Sequence, residues 1–279
     1  MSEAEVIERS PGPVTAQSLR AQLSALGIAP GEVLLVHCSL GALGWVCGGA
    51  VAVIEALLGA VGALGTVAMP AHSTHLSEPS AWSNPPVPDT WWSAIRETMP
   101  AFDARRTPTR NVGAVAELFR TWPEAVRSDH PTSSIAAIGP HAASIVSAQP
   151  LEDPMGGAAP LARLYDLDAR IVLAGVGHDR NTALHLAERR AFGAMQARVR
   201  TGSPVFAAGR RQWVEYDEPL ACVDDFAALG GAFEAVADVR RAETLRVMRL
   251  REIVDFGAPW LSAHRQPDGR PWTATSSAS

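Results

Sequence analysis

Three side chains in the second half of the chain have the types and spacing for proton transfer. Asn181, His185 and Glu188 fall at i, i+4 and i+7, so on a helix they share one face. An imidazole exchanges its proton near neutral pH, and one that shares a helix face with an amide and a carboxylate is the sharpest chemical constellation in the sequence. The preceding residues, Ile171-Val172-Leu173-Ala174-Gly175-Val176-Gly177, indicate what places that face. Four unbroken apolar residues suit a strand buried on both sides. Two glycines then turn the chain, and Asp179 or Asn181 can cap the helix that follows. The histidine face therefore starts at the carboxyl edge of a strand, where open α/β sheets bind ligands.

Other chemistries fit less well. Lysine is absent from the sequence, which excludes a Schiff-base or phosphate-loop lysine. Glycines 41, 44, 48 and 49 form a loop that could cradle phosphate at a helix N-terminus, without a Walker pattern. Gly175-Val176-Gly177 has Arg180 where a dinucleotide fingerprint needs its third glycine. His72 and His75 are three apart, as are His185 and Glu188, but neither pair has a third ligand in register, so no metal is expected. No Gly-x-Ser-x-Gly elbow surrounds Ser39. What remains is His185 as a general base for a substrate that is itself the nucleophile. Glu215, Asp217 and Glu218 are the candidate acids to orient it. His178, in the turn, is assigned to capping or loop packing.

The elements that must position these groups follow from the pattern. Residues 1–13 read as a loose tail and 14–256 as a single domain, with an irregular tail over 257–279. Ala16–Leu26 has helical spacing, and Val33–Val36 is a buried strand. Ala50–Val61 is helical, and Thr66–Pro70 is a second strand. This is a strand–loop–helix–strand unit of an α/β fold. Between Pro79 and Pro108 lie six prolines and three tryptophans with little periodicity, the mark of a functional loop or lid. Short helices are expected over 111–122, 140–147 and 160–165, with a strand over 134–138. After Arg190, residues 196–206 and 212–216 read as a hairpin around Gly209, and 224–237 and 242–254 as closing helices.

Composition bounds the class. The chain has 279 residues, 47% hydrophobic and 19% charged, enough to bury a sizeable core. Its net charge of −5 argues against nucleic acid as partner and is compatible with a cationic substrate. No apolar run suits a membrane span, and the acidic start is unlike a secretory signal. Three cysteines without metal spacing read as reduced thiols of a cytoplasmic protein.

A series of motifs in order resembles one family. It includes Val36-His37-Cys38-Ser39-Leu40 with Gly48-Gly49, then Met69-Pro70, Trp82 and Pro85-Pro86-Val87-Pro88. It continues through Met99-Pro100-Ala101-Phe102-Asp103, Thr107-Pro108-Thr109-Arg110, Arg127-Ser128-Asp129-His130-Pro131 and Pro160-Leu161-Ala162-Arg163-Leu164. It ends with Gly175-Val176-Gly177-His178 and Asn181 through Glu188. Over roughly residues 15–256 the chain resembles the aminoglycoside 3-N-acetyltransferases, the antibiotic N-acetyltransferase family. The resemblance implies a three-layer α/β/α sandwich with a mainly parallel central sheet and an antiparallel C-terminal addition. It implies acetyl-CoA as co-substrate, transfer to the 3-amino group of 2-deoxystreptamine aminoglycosides, and antibiotic resistance as the outcome. The alternatives are acetylation of another amine metabolite and a non-catalytic aminoglycoside-binding protein.

The resemblance also assigns residues. The family histidine maps onto His185 and a hairpin glutamate maps best onto Glu218. The coenzyme loop maps onto Ser39, Leu40, Gly41, Gly48 and Gly49, with Arg110 and Ser128 on the pantetheine and phosphate side. Glu78 and Asp103 are expected to meet the cationic acceptor, with Asn181 and Glu188 beside it. The expected partners are an aminoglycoside and acetyl-CoA, with no nucleic acid or membrane, in a monomer or homodimer. Cys38 stands where serine or alanine is usual, and Cys222 is all that remains of a His-Cys-Cys cluster in some members.

Overall fold

The computed structural model describes residues 2–271. Residues 2–13, expected as a loose tail, contain a helix, α1 (Glu3–Arg9), closed by a capping box between Ser2 and Glu5. Helix α2 (Ala16–Ala25) starts at Thr15, whose hydroxyl accepts from Ser18 N–H at 3.0 Å. Strand β1 (Val33–Cys38) follows, then α3 (Gly49–Val61) and β2 (Thr66–Pro70). Helix α4 (Trp92–Thr98) and α5 (Gly113–Phe119) lead to β3 (Val126–Arg127) and β4 (Ile135–Ile138). Helices α6 (Ala142–Ile145) and α7 (Pro160–Asp166) precede β5 (Arg170–Ala174) and α8 (Ala183–Phe192). The hairpin strands β6 (Arg198–Ala207) and β7 (Arg210–Pro219) come next, then α9 (Phe226–Glu234). Strands β8 (Arg240–Ala242) and β9 (Leu245–Arg249) and helix α10 (Leu250–His264) end the order.

Seven strands form one sheet in the order β3-β4-β2-β1-β5-β9-β8. The central β2, β1 and β5 are mutually parallel, and β4, β3, β9 and β8 add antiparallel on the two sides. Side chains of β1 alternate between two cores, as strand geometry requires. Leu34 and Val36 pack with α2, α3 and α5, whereas Val33 and Leu35 pack with α6 to α10. Helices thus cover both faces, giving the expected three-layer α/β/α sandwich. The hairpin β6–β7 is a second, two-stranded sheet. Among the described residues no helix is long and apolar enough to cross a membrane.

Two expected elements differ. Residues 242–254, read as a helix, begin as β9, because Leu245 and Val247 alternate into the first core beside β5. Their apolar spacing also fits a helix, and pairing with β5 decides for the strand. Helix α10 then runs to His264, past position 256 where the irregular tail was expected. Arg265 after it is buried, and residues 272–279 of that expected tail lie outside the described residues.

The proline-rich stretch is ordered wall rather than structureless loop. Arg127 ties it down by donating to the carbonyls of Thr107 at 2.6 Å and Ala71 at 2.5 Å and to Ser73 Oγ at 2.8 Å. The hairpin braces its other side, where Phe102 N–H donates to Pro204 O at 2.9 Å.

Candidate active site

The parallel strands β1, β2 and β5 end on one side of the sheet, where a cavity of about 860 Å³ opens. Its wall takes His37 and Cys38 from β1 with Ser39 just after it, Met69 and Pro70 from β2 with His72 just after it, and the turn after β5 with His185 of α8. Gly175 makes that turn possible. Its φ is 70°, and a Cβ there would stand 2.8 Å from Ala42 Cβ and 3.0 Å from Ser39 O. Asn181 sits just ahead of α8 rather than on it, and its Oδ1 accepts from Ala183 N–H at 3.2 Å. Residues 178–180 form a single 3-10 turn.

The carboxylate hydrogen-bonded to His185 is Glu188, not Glu218. His185 Nδ1 lies 3.0 Å from Glu188 Oε2, three residues on along the same helix. Glu188 Oε1 accepts from Cys222 N–H at 3.1 Å and from the buried Arg265 guanidinium. With Glu188 Oε2 as the acceptor, the contact fits the Nδ1–H tautomer of the neutral ring, in which Nε2 is the acceptor. No described residue hydrogen-bonds Nε2, and Phe226 packs edge-on against the ring at 5.0 Å. Glu218 lies on β7 opposite Val199 and is absent from the cavity wall. Burial pushes it up to about 7, only partly offset by Arg198. A group half-protonated near neutrality would be a poor permanent counter-charge. Glu215 and Asp217 face Arg200 instead.

Two more histidines share the cavity. Burial pushes His37 and His72 each down to about 3, with His185 among the neighbouring imidazoles that add to the shift. Both are neutral at pH 7, so these two rings add no positive charge to a wall that also carries Arg180. His37 Nε2 accepts from Thr182 N–H at 3.0 Å, which puts the His37 proton on Nδ1. That bond holds the turn before α8 and removes Thr182 N–H as a donor to a reacting oxygen. His178 has its expected structural part. Its Nε2 is 2.9 Å from Glu234 Oε1 and its ring packs on Gly230. Cys38 borders the cavity as an inert thiol, pushed up to about 12 by burial.

The remaining expected residues are scattered. Ser39 lines the cavity, whereas Leu40, Gly41, Gly48, Gly49, Arg110 and Ser128 stand outside its wall. Ser128 is buried and occupied, donating to Gln149 Oε1 at 2.6 Å and accepting from Ile135 N–H. Glu78 is paired with Arg96 at 2.5 Å, and Asp103 pairs with Arg106 at 2.8 Å while accepting from the amides of Arg105 and Arg106. Both acids organise the stretch that carries them, because each has an arginine within reach along the chain. Asp179, whose side chain is 53% exposed, is the carboxylate on the cavity wall, where it pairs at 3.1 Å with Arg180, which lines the same wall. It was expected only as a cap. Glu188 was expected beside the acceptor, and its i, i+3 spacing to His185 is the signal that could have found it as the partner. The contribution of Arg265 left no signal, because it depends on where α10 ends.

Among the described residues no group of three or more histidine, cysteine or acidic side chains is gathered to hold a metal ion.

The sequence model for aminoglycoside 3-N-acetyltransferase matches residues 35–262. The chain is 42% identical over 261 residues to the SPbeta prophage-derived aminoglycoside N(3')-acetyltransferase-like protein YokD of Bacillus subtilis, covering 92% of this chain and 95% of that one. The crystal structure of YokD superposes with a TM-score of 0.89 over 92% of this chain and 96% of its own. Aminoglycoside N(3)-acetyltransferase VIII of Streptomyces fradiae is 39% identical over 220 residues, 76% of this chain and 74% of that one. The acetyltransferase AAC-IIIb, solved as a binary complex with CoASH, has a TM-score of 0.79 at 30% identity, covering 89% and 96% of the two chains. The chain belongs to the aminoglycoside 3-N-acetyltransferase family.

Proposed function

We propose that the protein transfers the acetyl group of acetyl-CoA to the 3-amino group of a 2-deoxystreptamine aminoglycoside, with His185 as the general base. The observation that carries this reading is His185 at the cavity wall, hydrogen-bonded to Glu188 behind it, in a chain belonging to this family. In water the acceptor amine is largely protonated and cannot attack. As the free amine it adds to the thioester carbonyl, and its proton passes to His185 Nε2. The C–S bond then breaks, and the proton leaves with the CoA thiol. Glu188 balances the imidazolium formed in between, and general base help of this kind supplies ~10²–10⁴-fold.

The coenzyme's thioester end must reach His185 past Ser39 at the end of β1. The N-terminus of α3 beyond it has no side-chain cap on its first turn, which suits the diphosphate. The acceptor's positive charge meets Asp179, exchanging its exposed pair with Arg180 for the ligand, and the neutral histidines rather than Glu78 or Asp103. Acetylation at this position would make the host resistant to the antibiotic, and cytoplasmic coenzyme would supply the donor.

Thiol release from acetyl-CoA, measured with and without a panel of aminoglycosides and other amines, tests the reading. Release should depend on an aminoglycoside and fall ~10²-fold or more in His185→Ala, with both ligands still binding. Release with other amines alone, or unchanged turnover in His185→Ala, would overturn it.

A further inference from the structure

Arg265 lies beyond residues 35–262, the stretch matched by the family's sequence model, yet its side chain is 2% exposed and reaches the proposed base from behind. Helix α10 brings it there. Gly257 lets α10 approach α8 closely, since a Cβ at Gly257 would be 3.0 Å from Ala187 Cβ. The helix ends at His264, and Arg265 caps it, its N–H donating to Leu261 O at 3.0 Å. From that point the guanidinium donates to Glu188 Oε1, to Asp225 Oδ1 at 3.0 Å and to Cys222 O at 3.0 Å, and it lies over the Phe192 ring. Leaving a buried charge without its partner is costly, so the pair is kept only where both charges stay in place.

We propose that Arg265 is a positioning residue for His185, holding Glu188 as an anion so that Nδ1 keeps its proton and Nε2 is open to the acceptor amine. The inference rests on the reading of His185 as the base. The dyad has an active form, Glu188 anion with neutral His185, and a form with one proton more. In the second form the proton sits either on Nε2 of an imidazolium or on the carboxyl, which would then donate to Nδ1 and drive the ring proton to Nε2. Neither arrangement can accept a proton from the amine. Arg265 favours the active form by its charge.

Other charged and titratable groups surround the pair. His37 faces His185 from β1 and His72 from the residues after β2, both neutral at pH 7. Asp225 and Asp224, ahead of α9, lie on the Glu188 side, as does the Cys222 thiol in the segment before them. The aspartates add negative charge, so they act against Arg265 and cannot replace it. Among the described residues Arg265 is the cation hydrogen-bonded to Glu188.

The experiment compares Arg265→Met, Arg265→Gln, Arg265→Lys, Glu188→Gln and His185→Ala in the full chain. It measures turnover against pH and the titration of His185 by 15N NMR, with thermal melting as a check on folding. In Arg265→Met the acidic limb of the turnover profile, and the His185 titration with it, should move up by about one pH unit or more. Turnover at pH values on that limb should fall about tenfold for each unit of the move. Glu188→Gln should move the His185 titration the other way, because the imidazolium loses its counter-charge. Arg265→Lys keeps the charge but cannot span both carboxylates, so it should shift upward by less than Arg265→Met. A merely structural role would lower stability without moving the titration upward. A folded Arg265→Met with the wild-type limb would overturn the inference. If Arg265→Met does not fold, Arg265→Gln, which also removes the charge but keeps hydrogen-bond donors, decides, and an unmoved limb there would overturn it. Inactive His185→Ala beside a normal arginine variant would sink this inference alone, whereas active His185→Ala would sink the base itself.

Discussion

Replacing Glu188 by glutamine should be far more damaging than its size suggests, and the hydrogen bonds give the reason. Glu188 Oε1 accepts from two donors, Cys222 N–H at 3.1 Å and the Arg265 guanidinium. A glutamine must place its carbonyl oxygen there, because an amide NH2 facing two donors would leave all of them unsatisfied. Its NH2 then points at His185 Nδ1, where Oε2 stood 3.0 Å away. Nδ1 becomes an acceptor, the ring proton moves to Nε2, and the base has no lone pair to offer. The equivalent aspartate-to-asparagine change in a serine-protease triad traps the wrong tautomer and costs about 10⁴ in turnover. Here the expected loss is ~10³–10⁴-fold, or ~4–5.5 kcal/mol of barrier. Steady-state thiol release gives the turnover, and 15N shifts of His185 give the tautomer. Turnover within tenfold of wild type, or a ring still protonated at Nδ1, would refute the reasoning.

Asp179→Asn should raise KM for the aminoglycoside with little change in KM for acetyl-CoA, and the salt dependence of aminoglycoside binding should weaken, since one charge contact is lost and Arg180 beside it is left without its counter-charge. Equal rises in both constants would remove Asp179 from the acceptor side. Acid stability supplies another test. His37 and His72 have folded pKa values near 3, below the ordinary 6.5, so the unfolded chain binds more protons in between. Their stabilisation is complete above pH 6.5 and is lost as pH falls toward 3. From pH 6.5 to 4.5 each should cost ~2–3 kcal/mol, visible in urea unfolding, and His37→Asn should flatten the slope. A flat wild-type profile across that window would contradict the burial of these rings.

The sequence by itself determined much of this protein. Local physics suffices for β1, β2, β5, α2, α3 and the hairpin, because each has its own apolar period, cap or turn residues. The histidine after β5 was readable for the same reason, since an apolar strand, a glycine turn and a helix put it at a sheet edge. Glu188 was visible as a residue on the His185 face, but the family resemblance pointed to Glu218 on the hairpin as the orienting acid, with Glu215 and Asp217 as alternatives, and Glu188 was expected beside the acceptor. The tertiary structure decided that point through direct contact along α8, with Glu218 away from the cavity on β7. It also turned Glu78 and Asp103 toward Arg96 and Arg106, a choice that depends on how the stretch 71–110 folds on Arg127 and the hairpin. Arg265 is the extreme case. Nothing around it in sequence marks it, and it reaches Glu188, 77 residues away, only because α10 packs on α8 and ends beside it. Residue type and short-range spacing select the reactive group. Its protonation state is set by charges brought together from distant parts of the chain, and packing alone decides which ones those are.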